Sequence, residues 1–80
     1  KVVSHFSLAD CKIGDRFKLT RVLDFKELLK YLNQEKISLY DEFIIEEIDD
    51  FNHIIKVKHH DKKIIVSLKT AEMLYGDLSA

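Results

Sequence analysis

The chain has 80 residues, 46% of them hydrophobic and 34% charged, and its 13 basic and 14 acidic side chains leave a formal net charge of -1. These values predict one folded domain over residues 1–80 and exclude both a disordered chain and a global field that would draw it onto DNA phosphates or anionic lipid. A single cysteine excludes a disulfide framework and the apolar runs are too short for membrane insertion, so we expect a cytoplasmic protein.

The first predicted strand covers residues 16–23, where Phe17 and Leu19 alternate with polar side chains before the phase slips at Arg21 and Val22. Alternation with a period of two is typical of a half-buried strand, and the slip predicts a β-bulge. Gly14 precedes the strand and predicts a turn there, because glycine adopts backbone angles that other residues resist.

One helix is predicted after this strand, ending near residues 33–36. Asp24 before its first apolar position and Glu27 three residues later predict a capping box at its start. The apolar positions follow the i, i+3, i+4, i+7 spacing of one helical face: Phe25, Leu28, Leu29 and Leu32.

Three closely spaced strands follow over 42–48, 53–59 and 62–68, joined by short polar connections of the kind that hairpins use. Residues 69–74 have room for about one helical turn, and 75–78 can form a closing strand. The predicted fold is mainly β, a small, partly open barrel of five strands with one short helix after the first strand. Five apolar side chains of the later strands are predicted to lie in the core: Ile55, Val57, Ile64, Val66 and Leu68.

Four segments carry a resemblance to a known family: 8–15 (LADCKIGD), 28–32 (LLKYL), 36–40 (KISLY) and 64–71 (IIVSLKTA). Over about residues 7–78 the chain resembles the FeoA-type, SH3-like C-terminal domain of DtxR/MntR-like iron- or manganese-dependent transcriptional regulators. The resemblance implies a five-stranded SH3-like barrel. Because the chain begins at Lys1 rather than at methionine, we expect a fragment of a longer regulator.

The same resemblance implies a division of labour within that regulator. Other domains of the parent chain would bind DNA, form a homodimer and hold Fe²⁺ or Mn²⁺. This domain would be a non-catalytic accessory with no cofactor and no direct DNA readout, modulating metal-linked DNA binding through intramolecular or protein–protein contacts. One alternative is a FeoA-like accessory of a ferrous-iron transporter. Another is a peptide-binding barrel, which requires four aromatic side chains to converge: Phe6, Tyr31, Tyr40 and Tyr75.

Two positions depart from the family, which commonly has glycine there. At the elbow before the second strand this chain has Tyr40, so either a left-handed backbone costs on the order of 1 kcal/mol or the turn differs. The hairpin before the fourth strand has His60 and Asp61, and aspartate tolerates such turns better than most residues.

Asp24 and Glu27 are the first candidate metal ligands, and only the resemblance suggests them. In some members of the family, the start of this helix lends ligands to an ancillary metal site, and these two carboxylates stand in the matching stretch. Their other interpretation is electrostatic, because acidic residues in a first helical turn complement the helix dipole.

His59 and His60 are the second candidates, with His53 and Asp61 close by in the sequence. Imidazole and carboxylate are good ligands for zinc, iron or manganese. Adjacent residues of a strand point to opposite faces, so His59 and His60 can share one ion only if the turn begins between them. Otherwise these residues form a polar hairpin tip.

The remaining reactive groups favour no catalytic site, and we expect the chain not to be an enzyme. Cys11 lacks a matched base in its neighbourhood and is expected to be a small core residue. An acidic run is expected to be a solvated strand end: Glu46, Glu47, Asp49 and Asp50. A lysine stripe is either a contact with DNA phosphate or a solvated face that protects a strand edge: Lys56, Lys58, Lys62 and Lys63.

Overall fold

The computed structural model describes residues 6–79, which form five strands and two α-helices. None of the helices within that range is long and apolar enough to cross a membrane. In chain order, a 3₁₀ turn at Leu8–Asp10 is followed by β1 (Arg16–Val22), α1 (Lys26–Gln34), β2 (Glu42–Asp49), β3 (Ile54–His59), β4 (Lys62–Ser67), α2 (Leu68–Ala71) and β5 (Leu74–Leu78).

The five strands form one antiparallel sheet in the order β4-β3-β2-β1-β5. Consecutive strands β2, β3 and β4 pair as hairpins, as their short polar connections predict, and β5 returns to pair with β1. The predicted mainly β architecture, with five strands and a helix after the first, is confirmed.

Side chains that alternate along the strands build the core. Phe17 of β1 and Phe43 of β2 lie directly opposite each other, and both are buried. Four of the five predicted core residues, in β3 and β4, are also buried: Ile55, Val57, Ile64 and Val66. Leu68 is only partly buried, because it begins α2 instead of continuing β4.

The predicted bulge in β1 is present, and it falls at Thr20. The pairing of β1 with β5 shifts between Leu19 and Arg21, whose partners Gly76 and Tyr75 are adjacent. A second bulge, which the sequence pattern did not predict, occurs where the pairing of β2 with β3 shifts between Ile45 and Glu47. Such an extra residue bends a strand and increases its twist, which helps a small sheet to curl.

Helix α1 begins later than predicted, and the predicted capping box is wrong. Phe25 is the N-cap and makes no side-chain cap hydrogen bond. Asp24 therefore precedes the cap, and Glu27 is the second helical residue instead of the third, from which a side chain can reach back to the cap. The packing of the apolar face on the sheet therefore determines where the helix begins, and the capping preference of Asp24 does not.

The predicted apolar face of α1 is only half buried. Leu28 and Leu32 point into the core, but Phe25 and Leu29 keep 46% and 42% of their surfaces exposed. Tyr31 reaches the sheet, and its hydroxyl donates a hydrogen bond of 3.2 Å to the carbonyl oxygen of Ile65 on the end strand β4. Burial, and then the Glu35 carboxylate, raise the pKa of Tyr31, which keeps the hydroxyl protonated as a donor.

Of the two alternatives for the elbow before β2, a left-handed backbone at Tyr40 or a different turn, the structure has the first. Tyr40 has a left-handed backbone, with φ of 74°, although it is not glycine. Its N–H donates to the carbonyl oxygen of Leu19 at 2.5 Å, and the N–H of Leu19 donates to the carbonyl oxygen of Asp41 at 3.0 Å. This pair of hydrogen bonds holds the elbow against β1 and offsets the strain at Tyr40.

Candidate functional site

The elbow directs the side chain of Asp41 toward the β3–β4 hairpin. Its Oδ2 atom accepts a hydrogen bond of 2.9 Å from the N–H of Ser38, and its own N–H donates to the carbonyl oxygen of Ser38 at 3.2 Å. Only 16% of the side chain is exposed. The turn therefore fixes a carboxylate in a largely desolvated position at the entrance to β2.

His59 ends β3 on the buried side of the sheet. Its side chain is 3% exposed and stacks on Phe43, with ring centroids 4.8 Å apart and an interplanar angle of 21°. The Nε2 atom lies 2.8 Å from Oδ2 of Asp41. Because an ionised carboxylate can only accept, Nε2 carries the proton of this hydrogen bond.

The hairpin turn begins between the two histidines, which was the condition for them to share an ion. His60 and Asp61 both have left-handed backbones, with φ of 49° and 64°, as two-residue hairpin turns of the primed type require. The ring centroids of His59 and His60 are 4.2 Å apart. Nε2 of His60 lies 3.7 Å from Oδ2 of Asp41, so both imidazoles face one carboxylate.

The surroundings of Asp41 favour its charged form. Burial raises the pKa of this carboxyl, but the hydrogen bonds from Ser38 and His59 and the charges of the two histidines lower it more. The pKa therefore lies below its ordinary value. At neutral pH the group is a carboxylate, which is the form that accepts hydrogen bonds and coordinates cations.

Asp41, His59 and His60 are a three-residue group that could hold a metal ion, since one ligand atom from each lies within 4.8 Å of the others. Sequence reasoning identified the two histidines and missed Asp41. The position of Asp41 directly before β2 could have indicated this, because a β2–β3 hairpin brings the start of β2 beside the end of β3. The elbow geometry that turns the carboxylate inward was not readable from the residues.

The structure separates the other proposed ligands from this group. His53 is exposed and precedes β3, at the opposite end of that strand from His59. Asp61 points to Lys58, with 3.9 Å between Oδ1 and Nζ. Asp24 and Glu27 are exposed at the start of α1, and within residues 6–79 they belong to no group of three potential ligands.

Two ion pairs join the acidic run to the lysine stripe on the outer face of the sheet. Glu47 pairs with Lys56 at 3.6 Å, and Glu46 pairs with Lys63 at 4.0 Å. These residues, with Ile64 and Ile65, line an open hollow of about 540 Å³. Exposed pairs of this kind contribute little stability.

Asp49 has a structural task at the end of β2. Its side chain accepts hydrogen bonds from the backbone N–H and the side-chain amide of Asn52, at 2.9 and 2.8 Å. The two hydrogen bonds from Asn52, and a weaker one from the backbone of Phe51, lower the pKa of Asp49. The carboxylate therefore stabilises the β2–β3 turn as an anion, whereas general acid catalysis would require a raised pKa.

Cys11 is buried in the core, as expected. Burial, and then the carboxylates of Asp15 and Asp10, raise the pKa of its thiol to about 12. A thiol with that pKa is almost entirely protonated at neutral pH and is a poor nucleophile.

The aromatic side chains of the peptide-binding alternative have separate contacts. Phe6 packs near Phe17 with ring centroids 6.2 Å apart, and the guanidinium of Arg21 lies 4.5 Å above the ring of Tyr75. The hydroxyl of Tyr31 is hydrogen-bonded to the backbone of β4, and Tyr40 is 65% exposed at the elbow. These contacts favour structural roles over one convergent groove.

The order of the elements and the five-stranded antiparallel sheet define a mainly β, SH3-like domain of the FeoA type. Solved structures with this fold include the metal-dependent transcriptional regulator MtsR, at 26% identity and a TM-score of 0.79 over 88% of this chain and 34% of that one. The manganese regulator SloR matches at 25% identity and a TM-score of 0.84, over 91% of this chain and 34% of that one.

A third similar structure is iron(II) transport protein A from Clostridium thermocellum, at 16% identity and a TM-score of 0.83, over 91% of this chain and 45% of that one. No protein-family model and no curated protein matches the sequence significantly. The chain spans about a third of the length of the regulators it matches. The resemblance drawn from the sequence is confirmed at the level of the fold, and the similar proteins support a regulatory or accessory role.

Proposed function

We propose that this chain is an accessory domain of a larger, cytoplasmic, metal-dependent transcriptional regulator. The observation that carries the proposal is the match to MtsR, which takes in nearly all of this chain but only a third of that regulator. The remaining two thirds leave room for the parts that bind DNA, dimerise and hold Fe²⁺ or Mn²⁺. This domain then modulates the operator affinity of its parent without reading DNA itself.

The mechanism that we propose is differential contact with two conformations of the parent, since a domain that does not read DNA can shift its affinity only in that way. Exposed apolar groups near α1 support such contact. Leu29 and Leu39, 42% and 47% exposed, line a shallow hollow of about 310 Å³ together with Leu19 and Val22. Apolar side chains exposed side by side mark interaction surfaces more often than scattered ones do.

We also propose that Asp24 and Glu27 contribute to metal binding by the parent regulator. Both carboxylates are exposed at the start of α1, and Glu27 lines a second hollow with Phe25 and Met73. From that position they could complete an ancillary metal site whose other ligands belong to the parent. Metal binding would then favour the docked arrangement of this domain.

The test compares the full-length regulator with a version truncated before Lys1. We expect operator affinity, measured by fluorescence anisotropy against Mn²⁺ or Fe²⁺ concentration, to change its metal dependence by about 5-fold or more, the usual lower range of allosteric coupling. Leu29→Lys in the full-length protein should reproduce the shift, and Lys30→Gln on the solvent side of α1 should not. Identical metal activation and operator affinity in the truncated and complete proteins would overturn the proposal.

The likeness to an iron(II) transport protein supports a second candidate, an accessory of a ferrous-iron transporter. Its partner would then be the cytoplasmic part of that membrane transporter. The surrounding open reading frame separates the two candidates: a winged helix-turn-helix upstream of Lys1 selects the regulator, and an initiator methionine close to Lys1 selects the transport accessory.

A further inference from the structure

We propose that Asp41, His59 and His60 form a binding site for one divalent transition-metal ion, with Zn²⁺ as the best-matched ion. The site lies within this domain and depends on no residue of a parent protein. It is therefore independent of the function proposed above and of the carboxylates Asp24 and Glu27.

The donor set points to the class of ion. Two imidazole nitrogens and one carboxylate oxygen suit Zn²⁺ and its borderline neighbours, whereas Mg²⁺, Ca²⁺ and Mn²⁺ prefer sites built mostly from oxygen. Three protein ligands are also the number that open zinc sites use, with the fourth position left for water or another ligand.

The spacing of the donors is close to what an ion needs. Ligands at about 2.0–2.1 Å from a tetrahedral or octahedral ion lie about 3.0–3.4 Å from one another. Oδ2 of Asp41 lies 2.8 Å from Nε2 of His59 and 3.7 Å from Nε2 of His60. All three ligand atoms lie within 4.8 Å of one another. Shifts of about 1–1.5 Å, within the reach of side-chain rotation, convert this arrangement into a coordination shell.

Two of the three donors are already held in place, which lowers the entropic cost of binding. His59 is stacked on Phe43 and enclosed by the core, and Asp41 is fixed by the Ser38 turn. His60 is 71% exposed and supplies the movable third ligand. The ion would displace the proton on Nε2 of His59, which would pass through solvent to Nδ1 of the same ring. The protein would then lose one hydrogen bond and gain three coordinate bonds, one from each ligand.

The opening beside the histidines leaves room for further ligands. His59 and His60 line a surface hollow of about 160 Å³, together with Glu35, Lys36 and Lys62. Glu35 and the nearby Asp41 favour a cation there and the two lysines oppose one, so the local charge neither excludes nor concentrates a metal ion. Affinity must come from the three ligands themselves.

Calorimetric titration of the chain with ZnCl₂, and separately with MnCl₂, tests the site. We expect one Zn²⁺ to bind per chain, more tightly than Mn²⁺, and His60→Asn to raise the Zn²⁺ Kd by about 10-fold or more, since even an outer-shell partner is worth that much. Asparagine removes the imidazole but tolerates the left-handed backbone of residue 60.

His53→Asn is the matched control, because His53 is also exposed and also has a left-handed backbone, with φ of 57°. It should leave the Kd unchanged, and Asp41→Asn should raise it as His60→Asn does. In NMR spectra, Zn²⁺ should shift the imidazole signals of His59 and His60 and spare those of His53. Absence of saturable Zn²⁺ binding would overturn the proposal, as would a Kd that is insensitive to His60→Asn or equally sensitive to His53→Asn.

Discussion

Nε2 of His59 and Oδ2 of Asp41 lie 2.8 Å apart, joining the end of β3 to the entrance of β2 across 18 positions of the chain. The contact is largely shielded from water, and the aromatic ring of Phe43 covers it on one side. A charge-assisted hydrogen bond in such a place is stronger than one at the surface. In the metal-free protein this hydrogen bond ties the elbow to the hairpin.

Replacing His59 should destabilise the fold through the carboxylate that it leaves behind. In His59→Leu the apolar contact with Phe43 is largely retained, but Asp41 loses a partner while most of it stays out of water. We expect the free energy of unfolding in urea to fall by about 1–3 kcal/mol. His60→Asn, at an exposed site, should change it by less than about 0.5 kcal/mol. Equal losses in the two variants would contradict the importance of this hydrogen bond.

Changing either glycine to alanine should lower the free energy of unfolding, but for different physical reasons. A Cβ at Gly76 would collide with the backbone carbonyl of Lys18 on the paired strand, so β1 and β5 must separate. We expect Gly76→Ala to lower the free energy of unfolding by about 2 kcal/mol or more.

Gly14 has open space around it but a φ of 92°, so Gly14→Ala should cost only about 1 kcal/mol, from backbone strain. Chemical denaturation measures both variants. A larger loss at Gly14 than at Gly76 would show that the β1–β5 approach is less tight than described.

Tyr40→Gly should leave the protein as stable or make it more stable by up to about 1 kcal/mol. Glycine removes the left-handed strain at residue 40, worth about 1–2 kcal/mol, and loses about 0.5–1 kcal/mol through the greater freedom of the unfolded chain. Little packing is lost, because the ring is mostly exposed. The control is Leu39→Gly next to it, which has no positive φ to relieve and should only destabilise. A clear loss of stability in Tyr40→Gly would mean that the ring has an unrecognised contact.

Cys11 should make stability fall as pH rises above about 9. Its pKa increases from an ordinary 9.0 to about 12 on folding, so the unfolded chain releases the proton first. The stabilisation is fully present below pH 9 and is lost toward pH 12, with a slope of up to about 1.4 kcal/mol per pH unit.

Cys11→Ala lacks this titration, and the difference in unfolding free energy between it and the wild type should narrow over that range. Iodoacetamide should also alkylate Cys11 in the folded protein far more slowly than in urea. If the unfolding free energies of the wild type and Cys11→Ala changed in parallel with pH, and iodoacetamide alkylated the folded protein rapidly, the burial of this thiol would be contradicted.

The strands were predictable because their signal is local. The alternation around Phe17 and Leu19 and the isoleucine- and valine-rich hairpins fixed four strands to within one or two residues. The helix was found, but its cap was misplaced at Asp24, because a capping residue must also suit the packing of the helix on the sheet. Propensity at a helix end is worth about 1 kcal/mol, less than the burial of Leu28 and Leu32 together.

The candidate site was half predictable. His59 and His60 drew attention as imidazoles at a hairpin, but their partner Asp41 is separated from them by most of two strands. Whether adjacent histidines share a face depends on where the turn begins, and a shift of one residue would reverse the answer. The left-handed backbone at His60 decides it.

The amino-acid sequence by itself determined the mainly β architecture and the helix after the first strand, because apolar periodicity is a property of neighbouring residues. Only the tertiary structure decided that Asp41, His59 and His60 meet, and that Phe25 and Leu29 stay exposed. Both outcomes depend on strand register and on two left-handed turns that non-glycine residues maintain. Such turns are favourable only when contacts from distant parts of the chain outweigh their local strain.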